Sequence, residues 1–224
     1  MLNRRVLEIG KNHATEIDAK LFDRDFAGDL PDIPVLPETL LRAELLLKGT
    51  SVDLRELTQI VMSDLGAALQ VYRLARMEYG AADERPRRVE DCIVDLGLKA
   101  CFDSMSRRHG SATNKSQALI DHFRHARAMA DLCSFVADEI AVGINPAEAY
   151  VVGLFHELGA LPALLGWERG RRTDPAILGM QMAIAWSLPK CVREYFCELQ
   201  LPGPANEWVE LVQTAHSVAA MPAH

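Results

Sequence analysis

Helical periodicity, interrupted by prolines, glycines and capping residues, runs through almost the whole of this 224-residue chain. In most segments apolar residues recur at i, i+3, i+4 and i+7, which places them on one face of an α-helix. Alternating patterns typical of strands are nearly absent. The sequence therefore predicts an all-α bundle of roughly a dozen helices. The hydrophobic fraction of 49% suffices for a sizeable core.

A proline-rich arm at 30–39 precedes the first strongly apolar helical segment. Its prolines exclude a helix and favour an extended path, until Pro37 stands where a helix can begin. The next residues place four leucines on the predicted apolar face of that helix, namely Leu40, Leu41, Leu45 and Leu46. Further along, Ser63 is predicted to open another helix.

A polar, turn-like tract at 109–116 is the best internal boundary. We expect an N-terminal helical extension at 1–29 and a main domain at 30–220. That domain would divide into an N-lobe of about 30–112 and a C-lobe of about 113–220.

The formal net charge of −7 opposes general affinity for nucleic acids or anionic membranes. We therefore expect no nucleic-acid partner and no membrane partner. An arginine-rich loop is either an ordinary solvated loop or a contact for phosphate or an acidic partner. Its basic residues are Arg169, Arg171 and Arg172.

Cysteine usage and the start of the chain favour a cytoplasmic protein. The five cysteines are odd in number and form no C-x-x-C motif, which is typical of reduced core thiols. The first ten residues are charged and lack the apolar core of a signal peptide. No apolar run approaches the roughly 18 residues that a spanning helix needs.

Histidines and one carboxylate on separate helical segments are the chemistry candidates. His125 lies on one predicted helix, the doublet His156-Glu157 on the next, and His216 on the last. These four side chains supply the nitrogen and oxygen donors of a hydrolytic metal site. The alternative is a structural role, in which a core histidine is hydrogen-bonded and Glu157 pairs with an arginine or a protonated histidine. His122, three residues before His125, shares its helix face.

Several ordered segments resemble the HDOD domain, the HD-related output domain of bacteria. The N-terminal half resembles it in LPDIPVLPETLLRAELLL, VDLRELTQIVMSDLGAALQVYRLARMEYG and VEDCIVDLGLKAC. The C-terminal half does so in HFRHARAMADLCSFVADEIAV, NPAEAYVVGLFHELGALPAL and SLPKCVREYF. The resemblance covers about 30–220 and implies an all-α fold related to the HD phosphohydrolases.

The resemblance also implies where a metal would bind in the HD superfamily, which uses a His, a His-Asp doublet and a further Asp. His125 and His156 match the histidines of that pattern. Glu157 stands in the place of the doublet Asp, and His216 stands near the place of the final Asp. Ala160 replaces a lysine that is a candidate phosphate contact. Because Glu is one methylene longer than Asp, its oxygens would be displaced, and metal sites tolerate only small errors in ligand position.

These departures favour a non-catalytic HDOD-type signalling or regulatory module that binds a protein partner in a bacterial pathway or a small ligand. The expected working surfaces are the groove between the lobes and a vestigial pocket around His125, His156, Glu157 and His216. One alternative is a metal-dependent phosphohydrolase acting on a nucleotide or cyclic dinucleotide, with those four residues holding a divalent ion. Another is a nucleotide sensor that binds without hydrolysis, with the arginine-rich loop at 169–172 holding phosphate. We expect no cofactor; the sequence leaves the oligomeric state open.

Overall fold

The computed structural model describes residues 33–49, 52–79, 88–106, 117–140, 143–166, 174–201 and 206–220. Every regular element in these ranges is helical, which confirms the predicted all-α class. The predicted extension at 1–29, the boundary tract at 109–116 and the arginine-rich loop lie outside the described residues. The two-lobe division therefore stays a prediction.

The N-terminal helices form the first half of the bundle. They are α1 (Pro37–Leu47), α2 (Leu54–Met62), α3 (Leu65–Tyr79), α4 (Val89–Leu96) and α5 (Leu98–Ser106). The C-terminal helices follow. They are α6 (Gln117–Glu139), α7 (Pro146–Phe155), a 3-10 turn (Leu158–Ala160), α8 (Leu161–Leu164), α9 (Pro175–Ala185), α10 (Lys190–Glu198) and α11 (Glu207–Ala219).

A buried carboxylate fixes the proline-rich arm to the start of α3. Oδ1 of Asp64 accepts hydrogen bonds from the backbone N–H groups of Gly66 and Ala67, while Oδ2 accepts one from Leu36. A Cβ at Gly66 would collide with the carbonyl of Pro34, so the arm can lie this close only over a glycine. Asp64, and not the predicted Ser63, therefore caps α3.

Helix α1 buries only part of the predicted apolar face, since Leu40 and Leu46 pack against the core. Leu41 and Leu45 are 56% and 62% exposed, whereas Thr39 and Ala43 are buried. The small side chains of the buried pair let α1 lie close to its neighbours. The two leucines were assigned to the core from spacing alone, and spacing does not say which stripe of an apolar helix meets the bundle.

The helix that carries the His-Glu doublet is shorter than predicted. Helix α7 ends at Phe155, and His156 is its C-terminal cap. Glu157 leaves helical geometry with φ −107° and ψ 24°. Behind this break, a Cβ at Gly159 would collide with the carbonyl of Pro175, so the 3-10 turn rests directly on the start of α9. The break changes the directions of the doublet's side chains relative to a continuous helix.

One continuous core joins the N-terminal and C-terminal helices. The ring of Tyr72 on α3 meets that of Phe155 on α7 edge to face, at a centroid distance of 6.1 Å. The hydroxyl of Tyr150 donates to the carbonyl of Met62, 3.1 Å away. Among the helices described, none combines the length and apolar character that crossing a bilayer requires.

Candidate functional site

Three histidines from three different helical elements converge on one point. His125 lies on α6, His156 caps α7, and His216 lies near the end of α11. Their ring centroids form a nearly equilateral triangle with sides of 5.2, 5.4 and 5.2 Å. One ring nitrogen from each lies within 4.8 Å of the other two. The arrangement places three nitrogen lone pairs around a small common space.

Close packing of α6 on α7 brings the first two of these rings together. A Cβ at Gly153 would lie 2.6 Å from the carbonyl oxygen of Met129 and 2.8 Å from Cα of Ala130. Real Cβ atoms do not approach other atoms so closely. The absence of a side chain at Gly153 therefore sets the spacing between the helices that carry His125 and His156.

His156 is the buried corner of the triangle. Its Nδ1 lies 2.8 Å from the carbonyl oxygen of Gly153, so the neutral ring donates there and leaves Nε2 as an acceptor. That Nε2 is buried and has no hydrogen-bond partner among the described residues. Burial lowers the pKa of His156 to about 4, against the opposing effect of the Glu157 carboxylate. The ring is therefore neutral near pH 7.

Glu157 lies beside the triangle and is held there by a fourth histidine. Its Oε2 is 3.3 Å from Nδ1 of His122 and 3.9 Å from Nε2 of His125. Its Oε1 is 3.9 Å from Nε2 of His156. The hydrogen bond from His122 is the largest of the effects that lower the pKa of Glu157 to about 2. The carboxylate is thus ionised and turned towards the cluster.

The third histidine, His216, lies on a helix whose first turn is capped by a side chain from another helix. Oε2 of Glu198, at the end of α10, accepts from the backbone N–H groups of Trp208 and Val209 in the first turn of α11. A side chain from another helix thus satisfies N–H groups that a helix leaves without partners. Burial lowers the pKa of the partly exposed His216, with the nearby His125 adding to the effect.

The donor set fits a nitrogen-preferring metal ion better than an oxygen-preferring one. Three imidazoles suit zinc, copper, nickel or iron, whereas magnesium and calcium prefer oxygen ligands. The buried, unpartnered Nε2 of His156 is the observation that supports such a fit. Glu157 is the one carboxylate within reach of the triangle in the part of the chain that the structure describes. An ion held here would act as a Lewis acid on a bound ligand.

The model of the HDOD domain family matches residues 33–170. That match covers more than half of the chain. The chain belongs to the HDOD family. The family expected from the sequence motifs is therefore confirmed, and the matched residues contain the triangle's His125 and His156 together with Glu157. His216 lies beyond the matched residues.

Solved structures support the same fold for this HDOD domain. Two structures of the MmoQ response regulator from Methylococcus capsulatus each give a TM-score of 0.64. They are 20% and 19% identical to this chain, and each comparison covers 85% of this chain and 87% of the other. At this low sequence identity, the similarity is evidence for a shared fold.

The structure brings together four of the seven side chains that the sequence nominated. His125, His156, Glu157 and His216 meet as described above, whereas the three arginines of the loop at 169–172 lie outside the described residues. Whether the four bind anything stays a prediction. Sequence reasoning placed His122 on the face of His125 but gave it no role. His122 lies three residues before His125, and a histidine was one of the expected partners of Glu157. These two signals together could have identified His122 as that partner.

A second candidate site is the cleft between the N-terminal and C-terminal helices, with a volume of about 990 Å³. On one side it is lined by residues of α1, α2 and α4, and on the other by residues of α6, α7 and α10. The lining includes five cationic side chains, which are Arg42, Arg55, Arg88, Arg127 and Lys190. It includes three carboxylates, which are Glu90, Asp131 and Glu148.

Ion pairs in the cleft, among the described residues, do not involve two of its arginines, which could therefore bind an anionic ligand. Arg127 pairs with Asp131 at 3.1 Å, and the other lining pair, Arg88 with Glu90, is at 3.6 Å. Within the described ranges, neither Arg42 nor Arg55 has a carboxylate within salt-bridge distance. Both project from the N-terminal helices towards the cleft. The cleft is therefore locally cationic in a chain of net charge −7.

Proposed function

We propose that this HDOD domain is a regulatory module of a signalling pathway, which binds a protein partner or a small ligand and does not hydrolyse it. Family membership supports a signalling role. In this chain Glu157 and His216 depart from the metal pattern of the related HD hydrolases, which favours regulation over hydrolysis. The observation that carries the proposal is the cleft between the N-terminal and C-terminal helices. It is large enough for a small ligand or a peptide segment.

The walls of the cleft belong to helices distant in the chain, so occupancy would bias how the two sets of helices pack. Arg55 on α2 faces a wall that contains Tyr150 of α7, whose hydroxyl already bridges to α2. A ligand that contacts both walls stabilises the arrangement in which both contacts are made. This is how a binding module without catalysis transmits a signal.

The charges of the cleft favour an anionic ligand. Arg42 and Arg55 offer planar donor groups that match carboxylates and phosphates. An acidic segment of a protein partner or the phosphates of a nucleotide would satisfy them. Because the chain carries a net negative charge, an anion should be attracted to this positively charged cleft and not to the surface in general.

The arrangement at the histidine triangle supports binding without hydrolysis. In the HD pattern the metal is held by two histidines and two carboxylates, whereas here the carboxylate near the triangle is Glu157. That carboxylate is engaged by His122 at 3.3 Å. A hydrolytic site also needs an open position at the metal for water. With Glu157 as a fourth ligand beside the three imidazoles, a tetrahedral ion would have no such open position.

A binding assay on the full chain tests the proposal. Fluorescence anisotropy with a labelled peptide rich in Asp and Glu, and thermal shifts with guanine nucleotides and cyclic dinucleotides, would reveal an anionic ligand. We expect the variant Arg42→Ala/Arg55→Ala to weaken binding at least about 10-fold, because charge-assisted hydrogen bonds contribute about 1.5–3 kcal/mol each.

Arg124→Ala is the matched control, since Arg124 is an exposed arginine of α6 outside the cleft lining. It should bind like the wild type. Binding that is equally weakened by Arg124→Ala would mean a nonspecific charge effect and would contradict the cleft as the binding site.

The convergence of His125, His156 and His216 favours a second candidate function, a metal-dependent phosphohydrolase. Those residues would hold the ion, and Glu157 would orient a water molecule or complete the ligand set. Turnover of nucleotides, cyclic dinucleotides or p-nitrophenyl phosphate with added Mn²⁺ or Fe²⁺ tests it. Activity that disappears in both His156→Ala and Glu157→Gln would establish hydrolysis and refute the regulatory proposal.

A further inference from the structure

We propose that the histidine triangle binds one zinc-class ion, which fastens α11 to α6 and α7 and has no hydrolytic role. The ion would be Zn²⁺ or a chemically similar ion such as Co²⁺. This inference depends on the proposed regulatory function only for the purpose that the ion would serve in the cell. The geometry, the burial and the donor chemistry of the side chains support the binding itself.

The geometry offers three donors from three helices, of which α6 and α7 are consecutive in the chain and α11 is the last one described. Each side of the ring triangle is between 5.2 and 5.4 Å, so no two of the three histidines form a separate pair. Their nitrogen atoms lie within 4.8 Å of one another, and tetrahedral Zn²⁺ binds imidazole nitrogen at about 2.0–2.1 Å. Small side-chain rotations would bring all three nitrogens to such an ion.

An unsatisfied buried atom independently points to a ligand. His156 is 5% exposed, and its Nε2 has no hydrogen-bond partner among the described residues. Leaving a buried polar atom unpaired costs about 1–3 kcal/mol. Its Nδ1 is already directed at the carbonyl of Gly153, which is the arrangement that fixes the tautomer of a metal-binding histidine. Coordination at Nε2 would satisfy the ring completely.

The carboxylate beside the triangle supplies what the imidazoles lack. Oxygen atoms of Glu157 lie 3.9 Å from Nε2 of both His125 and His156, which suits a fourth ligand or a counter-charge for a dication. His122, 3.3 Å away, would orient that carboxylate as the outer partner of a ligand. Four protein ligands close a tetrahedral site, and closed sites are structural. The same feature explains why an ion here would not hydrolyse substrates.

The donor set also decides which ions are excluded. Three imidazole ligands favour zinc, cobalt, nickel and copper over magnesium and calcium. Replacing His216 with a carboxylate would move the site towards two nitrogens and two oxygens. That change would lower the preference for zinc relative to manganese. His216 is therefore the residue that determines the choice of ion in this inference.

The consequence for the fold is that the ion would connect the last described helix to the helix pair α6 and α7. Oε2 of Glu198 caps the start of α11, and His216 lies in the last turn at its C-terminal end. A coordination bond at His216 would secure that end. Because an ion that binds the folded state alone stabilises it, the thermal midpoint should depend on free zinc.

The test uses the full chain freed of metal with a chelator and then dialysed. Titration with Co²⁺ should produce visible d–d absorption that saturates at one equivalent, and Zn²⁺ should bleach it by competition. His125→Ala, His156→Ala and His216→Ala should each weaken Co²⁺ binding at least about 100-fold, and His122→Phe about 10- to 100-fold. Zn²⁺ should raise the thermal midpoint, while Mg²⁺ should leave it unchanged.

His216→Asp keeps a ligand at that position and is the conservative variant. It should still bind an ion, with a raised ratio of Mn²⁺ to Zn²⁺ affinity. The wild-type titration decides the inference even if a variant fails to fold. Absence of saturable Co²⁺ absorption, or absorption that survives in all three alanine variants with native circular dichroism, would overturn it.

The outcomes separate this inference from the proposed function. Saturable metal binding together with phosphoester turnover would keep the ion site and refute both the regulatory proposal and the structural role of the ion. No metal binding together with anion binding in the cleft would overturn the ion site and leave the regulatory proposal standing.

Discussion

Nδ1 of His122 lies 3.3 Å from Oε2 of Glu157, so a buried histidine holds the carboxylate of the doublet that follows α7. The two residues come from different elements, and neither would be in place without the close packing of α6 on α7. The contact answers a question left open by the sequence, namely which group partners Glu157. The partner is a histidine, which is one of the two kinds of partner expected for this carboxylate.

The first prediction concerns that contact. His122→Phe should raise the pKa of Glu157 from about 2 towards its ordinary value of 4.5, because the hydrogen bond from His122 is the largest effect that lowers it. NMR titration of carboxyl-labelled glutamate in chelator-treated protein measures the change. His125→Phe is the control and should move the same pKa less, since His125 contributes only at longer range. A larger shift in the control would refute the assignment.

The second prediction concerns pH. The folded state lowers the pKa of His156 to about 4 from 6.5, so the unfolded chain binds its proton first as pH falls. Above pH 6.5 the ring is neutral in both states and has no effect on the pH dependence. Between pH 6.5 and 4 the free energy of unfolding should fall by up to about 3 kcal/mol from this group.

Urea unfolding of metal-free protein at a series of pH values checks this second prediction. The comparison is with His156→Leu, which lacks the titrating ring while keeping an apolar side chain at the position. The wild type should lose more stability than the variant over that range. Parallel curves would show that His156 takes up a proton in the folded protein as readily as in the unfolded chain.

The third prediction separates two aspartates that cap helices. Asp64 is buried and accepts three backbone hydrogen bonds, whereas Asp53 is exposed and accepts one from Arg55 at the start of α2. Asp64→Ala should destabilise by about 2–4 kcal/mol, because three buried N–H groups lose their partner. Asp53→Ala should cost about 1 kcal/mol. Chemical denaturation measures both, and equal losses would contradict the anchoring role of Asp64.

The fourth prediction compares two glutamates of α10. Glu198 receives the backbone N–H groups of Trp208 and Val209, whereas Glu194 forms a surface ion pair with Lys190 at 2.7 Å. Glu198→Ala should cost about 1–2 kcal/mol and increase amide exchange at the start of α11. Glu194→Ala should cost less than about 1 kcal/mol. Unchanged exchange in the Glu198 variant would show that α11 starts without help from α10.

Local features explain why much of the bundle could be predicted. Pro37 was expected to begin a helix, and α1 begins there. Asn145-Pro146 and Asp174-Pro175 carry the same kind of local signal, and α7 and α9 begin at them. These signals depend on the covalent geometry of proline and on side chains that reach N–H groups two residues away. The same local logic could not choose between Ser63 and Asp64 as a cap, since both can accept such bonds. The contact of Asp64 with the arm decided it.

The helical class, the family and the residues that could form a site could be predicted from the amino-acid sequence. Those properties follow from periodicity, from chain stereochemistry and from ordered motifs, which are all readable along one dimension. The folded structure alone reveals that α7 stops at Phe155, that His122 meets Glu157, and that His216 completes a triangle with His125 and His156. Such contacts join residues far apart in the chain. Their formation depends on how closely whole helices pack, as at Gly153, and that distance is set by the folded core.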